Sequence, residues 1–241
     1  MEEAYALAYR DLFERHWWWR ARERVILDVL RGLPAKTGRR RILDVGCGDG
    51  LFFSALERFG DVEGVESDAR LVTVQGPRRA RIHVGPFDET FAPEAAYDWI
   101  LMLDVLEHLD DPRAALAKAL GLLAPGGRLV ITVPAFMALW TAHDDWNQHR
   151  ARFTRGTFRA LAREAGMRVD GMRYFFYWTA LAKLLVRLKE RLAPGAPAPE
   201  TVPPTGLNRL LYGLSRLEEW ALGRVPIPFG SSLLIVGGRD A

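Results

Sequence analysis

The stretch Arg41-Ile-Leu-Asp-Val-Gly-Cys-Gly-Asp-Gly50 decides the fold. Ile42, Leu43 and Val45 read as a strand buried inside a parallel sheet. Gly46, Gly48 and Gly50 then open a turn, and Leu51, Phe52 and Phe53 begin a helix. Glycine has no Cβ, so the backbone there can pass close to a ligand. The helix N-terminus behind the turn carries exposed N–H groups and partial positive charge. Such a turn suits an anionic or carboxylate-bearing, nucleotide-like ligand.

The spacing discriminates further. A dinucleotide turn is written G-x-G-x-x-G, its third glycine packing helix on strand. Here the pattern is G-x-G-x-G, and Leu51 takes the place that third glycine needs. An acidic residue, Glu66, closes the next strand, Val62-Glu-Gly-Val-Glu66. A carboxylate at that point can accept both hydroxyls of a ribose. Strands are expected near 41–45, 61–66, 80–84, 97–103 and 127–133, with helices near 50–59, 68–76 and 112–123. A sixth strand follows near 167–176 and the last near 232–237. This alternation predicts an α/β fold: a doubly wound, parallel seven-stranded sheet with helices on both faces. Ligands of such sheets sit beyond the carboxyl ends of the strands, at the topological switch point.

Composition bounds the rest. The 241 residues are 49% hydrophobic and 26% charged, as in a soluble globular domain. No signal peptide or membrane-spanning run is visible, so a cytoplasmic protein is expected. The single cysteine excludes an internal disulfide and a cysteine-based zinc site, and no metal is expected. A net charge of +3 without a concentrated basic patch gives no support for nucleic-acid binding.

Four segments are expected. Residues 1–40 form a helical N-terminal cap, 41–176 the ligand-binding core, 177–229 a helical insertion, and 230–241 the last strand and tail. The cap contains Trp17, Trp18 and Trp19, which cannot all face one core because helix neighbours lie about 100° apart. The insertion holds a basic amphipathic helix, with Leu181, Leu184, Leu185 and Leu188 among Lys183, Arg187, Lys189 and Arg191. Packing of its leucines on the domain is the preferred reading; a membrane-facing or lipid-substrate surface is the alternative. Between its two helices, residues 193–204 are too rich in proline for regular structure.

Asp44-Val-Gly-Cys-Gly-Asp-Gly50 with Glu66 resembles motifs I and II of the class I S-adenosylmethionine-dependent methyltransferases. Trp99-Ile-Leu-Met-Leu-Asp-Val-Leu-Glu-His-Leu109 resembles the family's motif IV, and Ala124 to Pro134 its next segment. The resemblance implies a mostly parallel sheet whose last strand is antiparallel, with S-adenosylmethionine as cofactor and S-adenosylhomocysteine as product. It implies that the backbone of Gly46, Cys47 and Gly48 lines the methionine portion, that Asp49 also belongs to the cofactor site and that Asp44 anchors the turn. Glu66 would hold the ribose, with Ser67 beside the adenine, while Leu103 and Asp104 face the amino group and the transferred methyl. The family often has Gly-Asp after strand three, whereas Gly85 is followed here by Pro86, which has neither carboxylate nor N–H. Phe87 packing, its backbone or Asp88 must then meet the adenine. In the cap, Arg22 is the candidate partner of the methionine carboxylate and Trp18 the cover of the sulfonium or substrate.

The expected reaction is methyl transfer to a small or lipid-like apolar acceptor, with oxygen the preferred target. A hydroxyl acceptor must lose a proton, and His149, His143 and His108 are the candidate bases. His149 leads because it lies in a polar segment beside the expected acceptor site. Asp110 and Asp111 read as a helix cap before Pro112 rather than as metal ligands. The rival readings are a non-catalytic cofactor-binding module, a nicotinamide-dependent oxidoreductase and an RNA methyltransferase. The basic helix adds the expectation of a peripheral membrane contact.

Overall fold

Seven strands arise where apolar residues run or alternate: β1 (Arg40–Val45), β2 (Gly60–Glu66), β3 (Ile82–Val84), β4 (Tyr97–Leu103), β5 (Leu123–Pro134), β6 (Met167–Phe175) and β7 (Ser232–Arg239). In the computed structural model, which describes residues 2–35, 37–193 and 200–239, they form one sheet in the order β3-β2-β1-β4-β5-β7-β6. Pairs from β3 through β5 are parallel, and β7 runs antiparallel to both β5 and β6. The chain leaves β1 for β2 on one side, and the other neighbour of β1 is β4. The switch point therefore lies between the ends of β1 and β4.

The two-residue period of each strand divides the core into layers. Leu43, Val45, Ile100, Met102, Leu129 and Ile131 face the helices α4 (Pro112–Gly121) and α6 (Arg155–Glu164). Ile42, Trp99, Leu101 and Val130 face α2 (Trp17–Gly32) and the short α3 (Phe53–Leu56). Local signals set the helix ends. Asp111 accepts from the Ala114 N–H at 2.9 Å with Pro112 in the first turn, and Thr154 caps α6 through the Thr157 N–H at 3.1 Å.

Two helix expectations need correcting. Residues 68–76 form one 3-10 turn, Ala69–Leu71, followed by irregular chain. The β-branched run Val72-Thr-Val74 and the Gly76-Pro77 pair disfavour helix, and Asp49 captures the Thr73 N–H at 2.9 Å. The helix expected over 50–59 shrinks to α3. The insertion also differs. Its helices α7 (Tyr177–Leu192) and α8 (Thr205–Leu222) form as read, but Leu181, Leu185 and Leu188 are 57, 69 and 53% exposed. That leucine face does not pack on the domain. Residues 194–199 of the proline-rich segment lie outside the described residues.

The N-terminal helix α1 (Glu2–Arg15) and α2 are joined through Asn208 of α8, which accepts from the Trp17 N–H at 2.8 Å and donates to the Arg15 carbonyl at 2.7 Å. The tryptophans of α2 diverge. Trp17 meets Trp178 of α7 at 5.1 Å between ring centroids, Trp18 meets Phe176 at 5.8 Å, and Trp19 meets Tyr9 of α1 at 5.2 Å. Trp17 also meets Phe176 at 6.4 Å, so Trp17 and Trp18 clasp the start of α7 while Trp19 clasps α1.

Packing beneath the glycine turn leaves no spare volume. A Cβ on Gly64 of β2 would stand 2.4 Å from Cys47 Sγ and 2.8 Å from Phe53 Cζ. Gly64→Ala is expected to destabilise the fold by ~1–3 kcal/mol. Gly213→Ala, in the exposed middle of α8 with nothing near its Cβ, should instead stabilise by up to ~1 kcal/mol. Urea unfolding of the two variants checks both signs.

Candidate active site

The glycine turn at the end of β1 is held from below. The N–H groups of Gly46 and Cys47 donate to the Val65 carbonyl at 2.8 and 3.2 Å. Gly46 has φ +71, and a Cβ there would stand 2.7 Å from Val105 Cγ2, so only glycine fits against the segment after β4. Glu66 closes the turn from the side: its carboxylate accepts from the Gly48 N–H and the Asp68 N–H, both at 2.8 Å. Burial raises its pKa against those two bonds. A carboxylate offers about four acceptor positions, so capacity remains for further donors. Asp49 accepts from the N–H and hydroxyl of Thr73 at 2.9 and 3.0 Å and pairs with Arg10 of α1. Cys47 is buried, and burial pushes its thiol up, away from nucleophilic use.

Acidic groups gather above the turn. Asp44 is buried, and burial lifts its pKa to about 7, with Arg22 opposing and Glu66 adding to the rise. Tyr9 of α1 reaches over the turn, its ring 3.6 Å from where a Gly48 Cβ would stand. Burial raises its pKa; Arg22 opposes, and Glu66, Asp44 and Asp104 reinforce the rise.

At the end of β4, Leu103 is half-buried and Asp104 adopts φ +55. A non-glycine residue in that region is uncommon, and it turns the carboxylate toward α2. Arg22, buried, pairs with Asp104 at 2.5 Å and donates to Thr132 Oγ1 at 3.2 Å. Thr132 in turn donates to Asp104 Oδ1 at 3.2 Å. Trp18 lies 5.5 Å from the Arg22 guanidinium and against Phe176. Arg22 Nε is buried without a hydrogen-bond partner.

Glu107 and His108 follow on a 3-10 turn, Leu106–His108. The segment after β5 folds back over it: the Arg150 N–H donates to the Glu107 carbonyl at 2.7 Å. This brings His149 against His108, with ring centroids 4.8 Å apart. His149 is oriented from behind. Its Nδ1 lies 2.8 Å from Asp144 Oδ1, and Arg152 donates to both oxygens of the same carboxylate at 2.8 and 2.9 Å. Asp144 lies on α5 (Ala142–Trp146) and closes a capping box with Thr141. Bonds from His149 and Arg152 hold its carboxyl well below the usual carboxylate range, against the opposing effect of burial. His143 turns elsewhere, to Asn147 Nδ2 at 3.0 Å. Burial first, then the nearby Lys183, pushes its pKa down to about 4. Both oxygens of the Glu107 carboxylate are buried and lack hydrogen-bond partners. Burial pushes this acid far up, and the Asp104 charge adds to the shift.

The sequence candidates thus divide. Asp44, Gly46, Cys47, Gly48, Asp49, Glu66, Leu103, Asp104, Arg22 and Trp18 surround the ends of β1, β2 and β4. Ser67 is exposed at the rim. Phe87 packs on the core beside Phe91 at 5.9 Å, and Asp88 is bound to Thr90. His149 and His108 meet beyond β4, whereas His143 is bound to Asn147 instead. Tyr9, Thr132, Asp144 and Arg152 escaped the sequence reading. The spacing D-x-x-x-x-H-x-x-R over 144–152 was the available signal for the last two.

A family model described as a methyltransferase domain matches residues 17–170. The ubiquinone biosynthesis O-methyltransferase of Xylella fastidiosa strain M23 is 30% identical over 205 residues, covering 73% of this chain and 80% of that protein. Among solved structures, a putative methyltransferase in complex with the Haloferax volcanii Trm112 activator aligns at TM-score 0.62 and 20% identity, covering 99% of this chain and 95% of that one. A TehB-like S-adenosylmethionine-dependent methyltransferase from Corynebacterium glutamicum aligns at TM-score 0.57 and 21% identity, covering 99% and 98%. The sheet order and the glycine turn at its switch point define a Rossmann-like methyltransferase fold. The chain belongs to the class I S-adenosylmethionine-dependent methyltransferase family.

Asp44 gives this site a pH signature. Its folded pKa, about 7, stands above the unfolded value near 3.9, so the folded state prefers the neutral acid. The cofactor-free protein is expected to lose roughly 2–4 kcal/mol of stability as pH rises from about 4 to about 7. In Asp44→Asn that loss should shrink. Denaturant unfolding at several pH values checks the slope.

Proposed function

We propose that the chain methylates an oxygen of a small, apolar or lipid-like acceptor. The observation that carries this is His149. Asp144 takes its Nδ1–H, leaving Nε2 as the free acceptor nitrogen beside the end of β4. The O-methyltransferase relative adds weight to oxygen as the target.

The residues fit S-adenosylmethionine. The turn excludes a Cβ at Gly46, Glu66 keeps acceptor capacity, and Asp44, Glu66 and Asp104 give a negative lining suited to a cation. In our reading Glu66 takes the ribose hydroxyls, Ser67 lies beside the adenine, and the turn from Gly46 to Asp49 lines the methionine portion. Asp104 and Leu103 face its amino group and methyl. Arg22 Nε, buried and without a partner, would gain one from a ligand carboxylate that reached it. Phe87 would meet the adenine only with its outer edge. The cofactor supplies a methyl already activated on a sulfonium. With it bound, the acceptor oxygen would form the C–O bond as the C–S electron pair stays on sulfur, and the hydroxyl proton would leave through the His149 side of the site. Orientation supplies much of the rate.

The segments 1–40 and 177–229 act in this reading as covers on the 41–176 core, with 230–241 completing its sheet. The exposed leucines of α7, with Arg187, Lys189 and Arg191 beside them, support a peripheral contact with anionic lipid. No helix among the described residues is long and apolar enough to cross a membrane. We place the protein in the cytoplasm, at the membrane surface.

Calorimetry should give micromolar S-adenosylhomocysteine binding and none for NAD. Glu66→Gln should weaken that binding about 10–100-fold, the worth of hydrogen bonds to a charged group. His149→Ala should leave it within about twofold while lowering turnover of a hydroxylated acceptor at least ~100-fold. NAD binding instead would sink this reading. Sedimentation with phosphatidylglycerol vesicles should capture the chain, and Leu185→Glu with Leu188→Glu should abolish capture; no capture of the parent chain removes the membrane contact.

A further inference from the structure

We propose that Glu107, His108 and His149 form a site for one divalent transition-metal ion, Zn2+ or Mn2+, beside the acceptor. The inference rests on the methyl-transfer reading above and says how the acceptor hydroxyl is held.

The first observation is geometric. One ligand atom from each of these three residues lies within 4.8 Å of the other two. Metal–nitrogen and metal–oxygen bonds of about 2.0–2.2 Å would put the donors of a tetrahedral site ~3.3–3.6 Å apart, so side-chain rotations that draw them in by about 1 Å bring them onto one ion. They come from two segments that the fold joins deliberately: the turn after β4 and the loop ending at His149, tied by the Arg150–Glu107 backbone bond.

The second observation is the Glu107 carboxylate. It is fully buried, and neither oxygen has a hydrogen-bond partner. Ionised, it lacks a counter-charge of its own, because Arg22 is paired with Asp104 and Arg152 with Asp144. Protonated, its O–H would still lack an acceptor. Either form leaves a costly unsatisfied group. A cation between it and the two imidazoles removes that cost.

The third is the support behind His149. Metal-bound histidines usually donate their other ring N–H to a carboxylate, which fixes the tautomer and aims the free nitrogen. Asp144, itself pinned by Arg152, does this for Nδ1. One carboxylate with two imidazoles suits Zn2+ or Mn2+ better than the all-oxygen sites of Mg2+ or Ca2+. His108 is exposed, which leaves the outer side of an ion open to a ligand. The ion would take the Nε2 lone pair of His149, so that with metal bound His149 holds the ion rather than the proton; a hydroxyl bound to the ion would be more acidic and would lose its proton to solvent water as its oxygen meets the methyl.

The test uses the full, tag-free chain stripped with chelator and dialysed against Zn2+ or, for electron paramagnetic resonance, Mn2+. One ion per chain is expected, with Glu107→Gln and His149→Ala each weakening it at least tenfold and His83→Ala leaving it unchanged. S-adenosylhomocysteine binding, measured on the same samples, reports that each variant is folded. No bound ion at millimolar metal, or binding indifferent to Glu107→Gln and His149→Ala, overturns the site. Ion binding without S-adenosylhomocysteine binding upholds the site and overturns the methyl-transfer reading on which its role rests.

Discussion

Carboxylates crowded at one edge of the sheet set the terms for everything else in this protein. Asp44, Glu66, Asp104 and Glu107 all lie at the ends of β1, β2 and β4, and three of them are buried. Unpaired buried charges cost several kcal/mol each, so the fold must answer them. It answers Glu66 with two backbone N–H groups and Asp104 with Arg22. Asp44 is answered only in part, and its proton affinity rises. A ligand bearing an ammonium and a sulfonium would finish the neutralisation. The site is thus a place where stability is given up so that a cation binds there well.

Arg22 explains why the N-terminal helices belong to the structure at all. A guanidinium can reach Asp104 and Thr132 only from a helix lying across the ends of β4 and β5. The tryptophans fix that helix: Trp17 and Trp18 hold the start of α7 and Trp19 holds α1, so α2 cannot rotate without losing an aromatic contact on one of them. Aromatic pairs are worth about 0.5–1.5 kcal/mol beyond their burial. The register of Arg22 over Asp104 is secured by apolar packing rather than by the ion pair itself.

What was legible in the sequence was what neighbours along the chain decide. The strands, the glycine turn, Glu66 at the end of β2 and the Thr154 cap are local patterns, and local periodicity locates them. Residues 68–76 misled because their length suited a crossover helix, while Val72, Thr73, Val74 and Pro77 opposed one. The α7 leucines misled because an amphipathic face says that something apolar is sought, not that the domain supplies it. The meeting of Glu107 and His108 with His149 depends on a fold-back across some forty residues, and Tyr9 over Gly48 on the angle between two helices. No spacing rule encodes either.

The two sides of the site are built to different strengths. On the acceptor side, the Asp144–Arg152 pair is 0 and 2% exposed at its side chains and carries His149 with it. Removing either partner would strand a buried charge, so that geometry is rigid. On the cofactor side, α1 is tied to the turn by Arg10 and Asp49, and Arg10 is 40% exposed. Exposed ion pairs contribute about 0–1 kcal/mol. Tyr9 over Gly48 adds packing that exchanges readily for a ligand's own. The contacts that hold α1 on the turn are therefore the weaker ones, whereas the histidines beyond β4 are fixed by a buried pair.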